Sequence, residues 1–297
     1  MYDTIIIGCG AAGMTAALNI LRNGKTVLIL EKETIGGQIA SSPKVENYPS
    51  IKEISGVDFS MNLFEQIVSL GAEMELEEVQ KIEKKNKIFT ITTDYNTYEA
   101  LSVVIATGAE HNKMHVEGEE SLKGVSYCAV CDGAFYKDEE VAVIGDANTA
   151  LQYVLLLSTI CKKVHLCMLF DHYFADKILI DKIESKENVE IYKEINLDKI
   201  DGITDVTGLD FTNTRTKEKL HINAKAVFIA IGQTPKTGIF KDLVDRNKEY
   251  ILTDENMQTK TDGLYAIGDV RLKKVRQLTT AMSDAAIAAF NITKYLS

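Results

Sequence analysis

Thr4-Ile5-Ile6-Ile7-Gly8-Cys9-Gly10-Ala11-Ala12-Gly13 opens the chain, and an alanine-rich stretch follows it to about Arg22. The β-branched run predicts a buried strand, the glycines a tight turn and the alanine-rich segment a helix. A second apolar run, Val27 to Leu30, ends in Glu31. Strand, glycine turn, helix, strand and terminal acid make a βαβ unit of the dinucleotide-binding kind. Gly8, Gly10 and Gly13 let backbone approach a pyrophosphate at the helix start, and Glu31 accepts hydrogen bonds from a ribose diol.

The same grammar returns later in the chain. Val141 to Ile144 predicts a strand, Gly145-Asp146-Ala147-Asn148-Thr149-Ala150 its turn, Ala150 to Ile160 a helix and Val164 to Met168 the next strand. Between the repeats, Ile88 to Thr93 and Leu101 to Ile105 predict strands, the latter running into Ala106-Thr107-Gly108. Ala226 to Ile231 ends in Gly232. Gly263-Leu264-Tyr265-Ala266-Ile267-Gly268-Asp269 is another strand entering a Gly-Asp turn, followed by a basic loop and a helix from about Thr279. The expected fold is α/β, with two Rossmann-like nucleotide-binding domains, the second inserted into the first. Residues 1–112 and 237–297 would form one domain and 113–236 the other.

A chain of 297 residues, 45% hydrophobic and 26% charged, has the composition of a folded protein of about two domains. With 33 basic against 43 acidic residues, its net charge of -10 repels nucleic acid and anionic membrane surfaces, so neither is expected as a partner. The opening M-Y-D-T-I-I-I-G has no basic segment leading into a long apolar run, and no stretch reaches the roughly 18 apolar residues of a membrane helix. A cytoplasmic location is therefore expected, where a structural disulfide framework is not. Cys9, Cys161 and Cys167 lie in apolar or helical patterns and are expected to be buried free thiols.

Cys128-Ala129-Val130-Cys131-Asp132 differs, because it sets two thiols two residues apart with an acid directly after. Such a pair within βαβ grammar is expected to be redox-active, with a thiolate nucleophile and Asp132 as the group that moves a proton. The alternative is half of a zinc site, which needs two further ligands. His111, His115, His165, His172 and His221 are dispersed, so no metal is expected.

Together these residues resemble the low-molecular-weight bacterial thioredoxin reductases over essentially the whole chain. The resemblance rests on Gly8-Cys9-Gly10-Ala11-Ala12-Gly13, Gly36-Gly37-Gln38, Glu46-Asn47-Tyr48-Pro49, Ala106-Thr107-Gly108, Cys128-Ala129-Val130-Cys131-Asp132, Gly268-Asp269 and Arg276-Gln277, in the family's order and spacing. It implies a homodimer that binds FAD. Gly8, Cys9, Gly10, Ala11, Ala12 and Gly13 would hold the pyrophosphate, and Glu31 with Lys32 the ribose. Gly36, Gly37, Gln38, Asn47, Thr107, Gly108, Gly268, Asp269, Arg276, Gln277 and Leu278 would line the rest of the cofactor. It further implies that the flavin reduces the Cys128/Cys131 disulfide with help from Asp132. The inserted domain would then rotate to present the dithiol to thioredoxin, with Cys128 attacking.

The second repeat departs from the family. Counting 23 residues from Gly8 reaches Glu31, whereas counting 23 from Gly145 reaches Met168. Where the family places a histidine and arginines that grip the 2′-phosphate of NADPH, this chain has Met168, Leu169, Phe170 and Phe174, an apolar set that cannot pair a phosphate dianion. Ala147 replaces the glycine that admits a pyrophosphate, Asp146 adds negative charge, and Asp171 reads as a solvated loop acid. The second domain is thus expected to keep the fold without the nicotinamide cofactor.

That combination resembles the ferredoxin-dependent flavin thioredoxin reductases. Electrons falling from about -400 mV in a plant-type ferredoxin to about -270 mV in thioredoxin release roughly 6 kcal/mol per pair. Arg271, Lys273, Lys274 and Arg276, with Lys44 nearby, form the candidate docking patch for an acidic ferredoxin. Three alternatives stay open: a flavin dithiol oxidase that passes electrons to oxygen, an NADPH-dependent reductase with an atypical cofactor site, and a non-catalytic flavin-binding sensor.

Overall fold

In a computed structural model that describes residues 1–42, 45 and 47–297, the first repeat consists of β1 (Tyr2–Ile7), α1 (Ala11–Arg22) and β2 (Val27–Glu31). The chain continues through α2 (Gly56–Ser69), β3 (Glu73–Leu76), β4 (Val79–Lys85), β5 (Ile88–Thr93) and β6 (Thr97–Ile105). Next come β7 (Glu110–His111), β8 (Val125–Ser126), α3 (Ala129–Asp132), β9 (Glu140–Ile144), α4 (Asn148–Leu157) and β10 (Lys163–Cys167). These are followed by α5 (Lys177–Glu184), β11 (Val189–Tyr192), β12 (Ile195–Gly202), β13 (Val206–Asn213), β14 (Lys219–Asn223), β15 (Ala226–Ile229) and β16 (Gln233–Thr234). The C-terminal part contributes β17 (Arg246–Asn247), β18 (Tyr250–Ile251), β19 (Leu264–Ala266) and α6 (Leu278–Tyr295).

Contacts divide the chain into two compact units, Met1–Glu110 with Thr234–Ser297, and His111–Gln233. In the first unit one sheet runs β3-β2-β1-β6-β5-β4, with β19 added on β6. Its β1, β2, β3, β6 and β19 pair in parallel, and the central pair needs cover on both faces, so Ile5-Ile6-Ile7 of β1 and Val27 to Leu30 of β2 are continuous apolar runs. Met14, Ile20, Phe59, Ile67, Ala285 and Ile292, from α1, α2 and α6, pack one core cluster with Ile6 and Ile29. Ile5, Leu28, Phe89, Phe240 and Leu264 belong to a second cluster.

The second unit repeats the plan. Its sheet, β11-β10-β9-β15-β8, pairs in parallel throughout, and a separate antiparallel sheet runs β12-β13-β14. The parallel strand ends position chemistry, because each repeat carries its glycine turn where β1 or β9 hands the chain to α1 or α4. Helix α4 spans Asn148–Leu157 rather than Ala150 to Ile160, starting where the turn releases the chain. Strand β6 starts at Thr97, four residues before the apolar run that betrays it, because its first residues pair with β5 on a part of the sheet that is largely exposed. Among the described residues no helix is long and apolar enough to cross a membrane.

Candidate functional site

The cradle in the first unit is made by close backbone packing. Gly8 has φ +109°, and a Cβ there would stand 2.5 Å from the Ala106 carbonyl oxygen. One turn into α1, a Cβ on Gly13 would stand 2.0 Å from the Gly8 carbonyl oxygen. The Gly36 N–H donates to the Cys9 carbonyl at 2.9 Å, and Gly36 bridges Gly10, so the Gly36-Gly37-Gln38 segment lies on the turn. Glu31, at the end of β2, is buried and accepts the Cys9 N–H at 2.7 Å and the Glu33 N–H at 2.9 Å. It thereby ties the strand end to the glycine turn, a role that residue spacing alone does not reveal.

Distant segments converge on the same unit. Gln38 donates through its side chain to the Ala109 carbonyl, next to Thr107 and Gly108. Asn47 Nδ2 donates to Gln277 Oε1 at 3.2 Å across 230 residues of chain. Gln277 caps α6 in a reciprocal box with Thr280, and Leu278 packs on the core. Gly268 has φ +74°, and a Cβ there would stand 3.0 Å from the Ala12 Cβ, so the Gly-Asp turn lies against the start of α1. Lys32 pairs with Glu33 at 2.8 Å and Glu110 at 3.5 Å. The Cys9 thiol is buried, which pushes its pKa up to about 12 and keeps it unreactive, and Cys161 and Cys167 are also buried and free.

Among the described residues of this unit, two side-chain polar atoms are buried without hydrogen-bond partners: Asp269 Oδ1 and Arg276 Nε. Burial raises the Asp269 carboxyl above its ordinary range, with Lys273 and Arg276 opposing the shift. A carboxylate and a guanidinium held this way match a ligand that offers hydroxyls and a polar, partly anionic body.

In the second unit, Cys128 and Cys131 form a disulfide with Cα atoms 5.3 Å apart, at the start of the short helix α3. The Cys131 N–H donates to Cys128 Sγ at 3.2 Å. Ser126 accepts the Cys128 N–H at 3.1 Å and donates to Asp132 Oδ2 at 2.6 Å. Burial raises the Asp132 carboxyl above its ordinary range, the Ser126 hydrogen bond opposes this, and Oδ1 is buried without a partner. Ser126 went unnoticed in the sequence, although a serine two residues before a C-x-x-C pair with a following acid is the visible sign of this link.

Residues 2–285 match the model of the pyridine nucleotide-disulphide oxidoreductase family. The chain belongs to that family. It is 38% identical to the thioredoxin reductase of Treponema pallidum over 99% of this chain and 97% of that one. At 37% identity, with the same two coverages, it matches the 34.2 kDa protein in rubredoxin operon of Clostridium pasteurianum. The crystal structure of thioredoxin reductase from Streptococcus pyogenes superposes with a TM-score of 0.95, at 39% identity, covering 100% of this chain and 98% of that one. The fold is accordingly that of the family's FAD/NAD(P)-binding Rossmann-like domains, FAD is the cofactor, and the chain is a flavin-dependent disulfide oxidoreductase.

Against that family background the second glycine turn stands apart. Gly145 keeps a positive φ of 142°, but Asp146 follows it with a carboxyl raised by burial. Met168, at the position equivalent to Glu31, is 0% exposed and belongs to the apolar core. Leu169, Phe170 and Phe174 are exposed, and the two phenylalanine rings meet edge-on at 5.3 Å. The Phe174 N–H donates to the Asp146 carbonyl at 2.8 Å, and Asp176 takes both ends of the Asn148 amide. Asp171 pairs with Arg215 at 3.0 Å and with His172 at 2.7 Å, as a surface acid.

The basic loop after the Gly-Asp turn does not form the open patch expected from the sequence. Arg271 Nη1 donates to Asp284 Oδ1 at 3.0 Å and Lys273 Nζ to Asp284 Oδ2 at 3.0 Å, leaving the two cationic side chains only 15% and 10% exposed. Arg276 lies over the Tyr250 ring, 4.1 Å from its centre. Asp284 is a lone acid on the buried face of α6, and desolvation makes it draw in both cations. Lys274 alone of the four is exposed; Lys44 and Glu46 lie outside the described residues.

Proposed function

We propose that the chain reduces the disulfide of thioredoxin through FAD and the Cys128/Cys131 dithiol, taking electrons from reduced ferredoxin. In this reading the first unit is the FAD-binding domain, and the second is a nucleotide domain that retains its fold without its coenzyme. The observation that carries it is the contrast between equivalent positions: Glu31 presents a buried carboxylate at the first turn, and Met168 a core methionine at the second. A 2′-phosphate needs charge-assisted donors, and Leu169, Phe170 and Phe174 offer none. The Clostridium pasteurianum relative is named for a rubredoxin operon, which supports a protein donor.

Bound FAD supplies the means to gather two single electrons and pass them on as a pair. Two reduced ferredoxins and two protons then convert the Cys128–Cys131 disulfide to a dithiol. Asp132, its carboxyl raised by burial, is placed to hold one of those protons beside the cysteines, with Ser126 fixing its other oxygen. The dithiol reduces thioredoxin by thiol–disulfide exchange through a mixed disulfide, which restores the starting bond.

Anaerobic titration of the yellow protein tests the donor. Reduced ferredoxin is expected to bleach the flavin within seconds, while stoichiometric NADPH and NADH leave it oxidised. Rapid bleaching by NADPH overturns the ferredoxin assignment and leaves the dithiol chemistry standing.

Asp132→Asn is expected to slow disulfide reduction by about 10²- to 10⁴-fold, the usual worth of a positioned acid. The wild type should lose rate as pH rises through the raised Asp132 pKa, because the protonated form is the donor. The variant should be flat over that range. A stopped-flow pH profile distinguishes this from a merely structural role, which would leave the limb in place.

A further inference from the structure

Lys273, on the loop that follows the Gly-Asp turn, is a cation whose side chain is only 10% exposed. Its ammonium lies 3.0 Å from Asp284 Oδ2, 3.4 Å from Thr280 Oγ1 and 3.6 Å from Asp269 Oδ1. Asp284 also accepts Arg271 Nη1 at 3.0 Å and the Gly268 N–H at 3.1 Å. Arg271 and Lys273 together bring two positive charges to the single negative charge of Asp284, so the cluster has one positive charge to spare. Burying an ammonium is costly unless another charge gains by it. The nearest group in need is Asp269, whose Oδ1 is buried without a hydrogen-bond partner.

We propose that Lys273 is a positioning residue whose charge, anchored by Asp284, keeps Asp269 in its carboxylate form toward the hydroxyl groups of bound FAD. This rests on the placement of Asp269 in the FAD site. An ionised carboxylate accepts hydrogen bonds at both oxygens with charge assistance, and a protonated one loses that capacity. Burial is the largest influence on Asp269 and favours the neutral acid; Lys273 and Arg276 favour the anion, and Asp284 works against it. Removing the Lys273 charge leaves Arg276 as the one cation facing Asp269 among these groups, so the carboxyl takes up its proton at higher pH. FAD affinity then weakens at higher pH as well.

The test follows FAD release from the holoenzyme by flavin fluorescence during acidification, with circular dichroism recorded over the same range to separate release from unfolding. Lys273→Met is expected to move the release midpoint to higher pH. Lys273→Gln, which keeps a donor for Asp284 without the charge, should move it in the same direction and guards against a folding defect in the first variant. Lys273→Arg should restore the wild-type midpoint, and Lys274→Met at the exposed neighbour should leave it unchanged. On an Asp269→Asn background, which should itself bind FAD more weakly, Lys273→Gln should cause no further shift. If Asp269→Asn binds FAD as tightly as the wild type, the placement of Asp269 in the site fails. If Asp269→Asn weakens FAD but both uncharged Lys273 variants release it at the wild-type pH, the role of Lys273 fails alone.

Discussion

Cys131→Ser is expected to abolish thioredoxin reduction while the purified protein stays yellow. Serine cannot form the bond to Cys128, so no two-electron acceptor remains after the flavin, and turnover should fall to the level of the uncatalysed exchange. The cofactor is expected to survive because every residue proposed to hold it, from Gly8 and Glu31 to Asp269 and Gln277, belongs to the first unit, whereas both cysteines belong to the second. The fold should survive too. The disulfide spans a sequence separation of 3, and a loop that short restricts the unfolded chain by only about 2 kcal/mol. Turnover with thioredoxin, flavin absorbance and a melting curve on one preparation decide the matter. A colourless variant would sink the assignment and make the pair structural.

Both nucleotide turns were legible because parallel strands covered on two faces must be apolar without interruption, as in Ile5-Ile6-Ile7 and Val141-Ala142-Val143-Ile144. The antiparallel sheet of β12, β13 and β14 was not. Its strands alternate buried with exposed residues, as in Ile195-Asn196-Leu197-Asp198, and a register shift between Leu197 and Lys199 breaks the period of two that would have exposed the pattern. The basic loop misled for a different reason. A sequence displays charges but not their partners, and the partner of Arg271 and Lys273 sits 13 and 11 residues on. A sign was present: Asp284 falls on the same helical face as Ala281, Ala285, Ala288 and Ile292, and an acid on an apolar stripe requires a cation. The apolar set at the second turn also divides in a way composition does not foretell, Met168 entering the core while Leu169, Phe170 and Phe174 remain outside.

Gly13→Ala is expected to destabilise the first unit and strip it of FAD, against the direction that helix propensity suggests. Alanine in a helix interior is favoured over glycine by about 1 kcal/mol. Here the added methyl would stand 2.0 Å from the Gly8 carbonyl oxygen and 3.2 Å from its carbon, both backbone atoms. Gly8 cannot retreat, since its N–H is bound to the Leu30 carbonyl at 2.8 Å and its other flank meets the Ala106 carbonyl. Helix α1 must therefore lift from the sheet, and overpacking of this kind costs about 3 kcal/mol, enough to outweigh the propensity gain. Gly10→Ala separates packing from cradle, because a Cβ there meets nothing closer than the Gly36 carbonyl oxygen at 3.8 Å. That variant should melt like the wild type and still bind FAD weakly, if the backbone at Gly10 is where the pyrophosphate approaches. A Gly13→Ala protein that melts at the wild-type temperature and holds its flavin would show that α1 and β1 are not locked together by the absence of that one side chain.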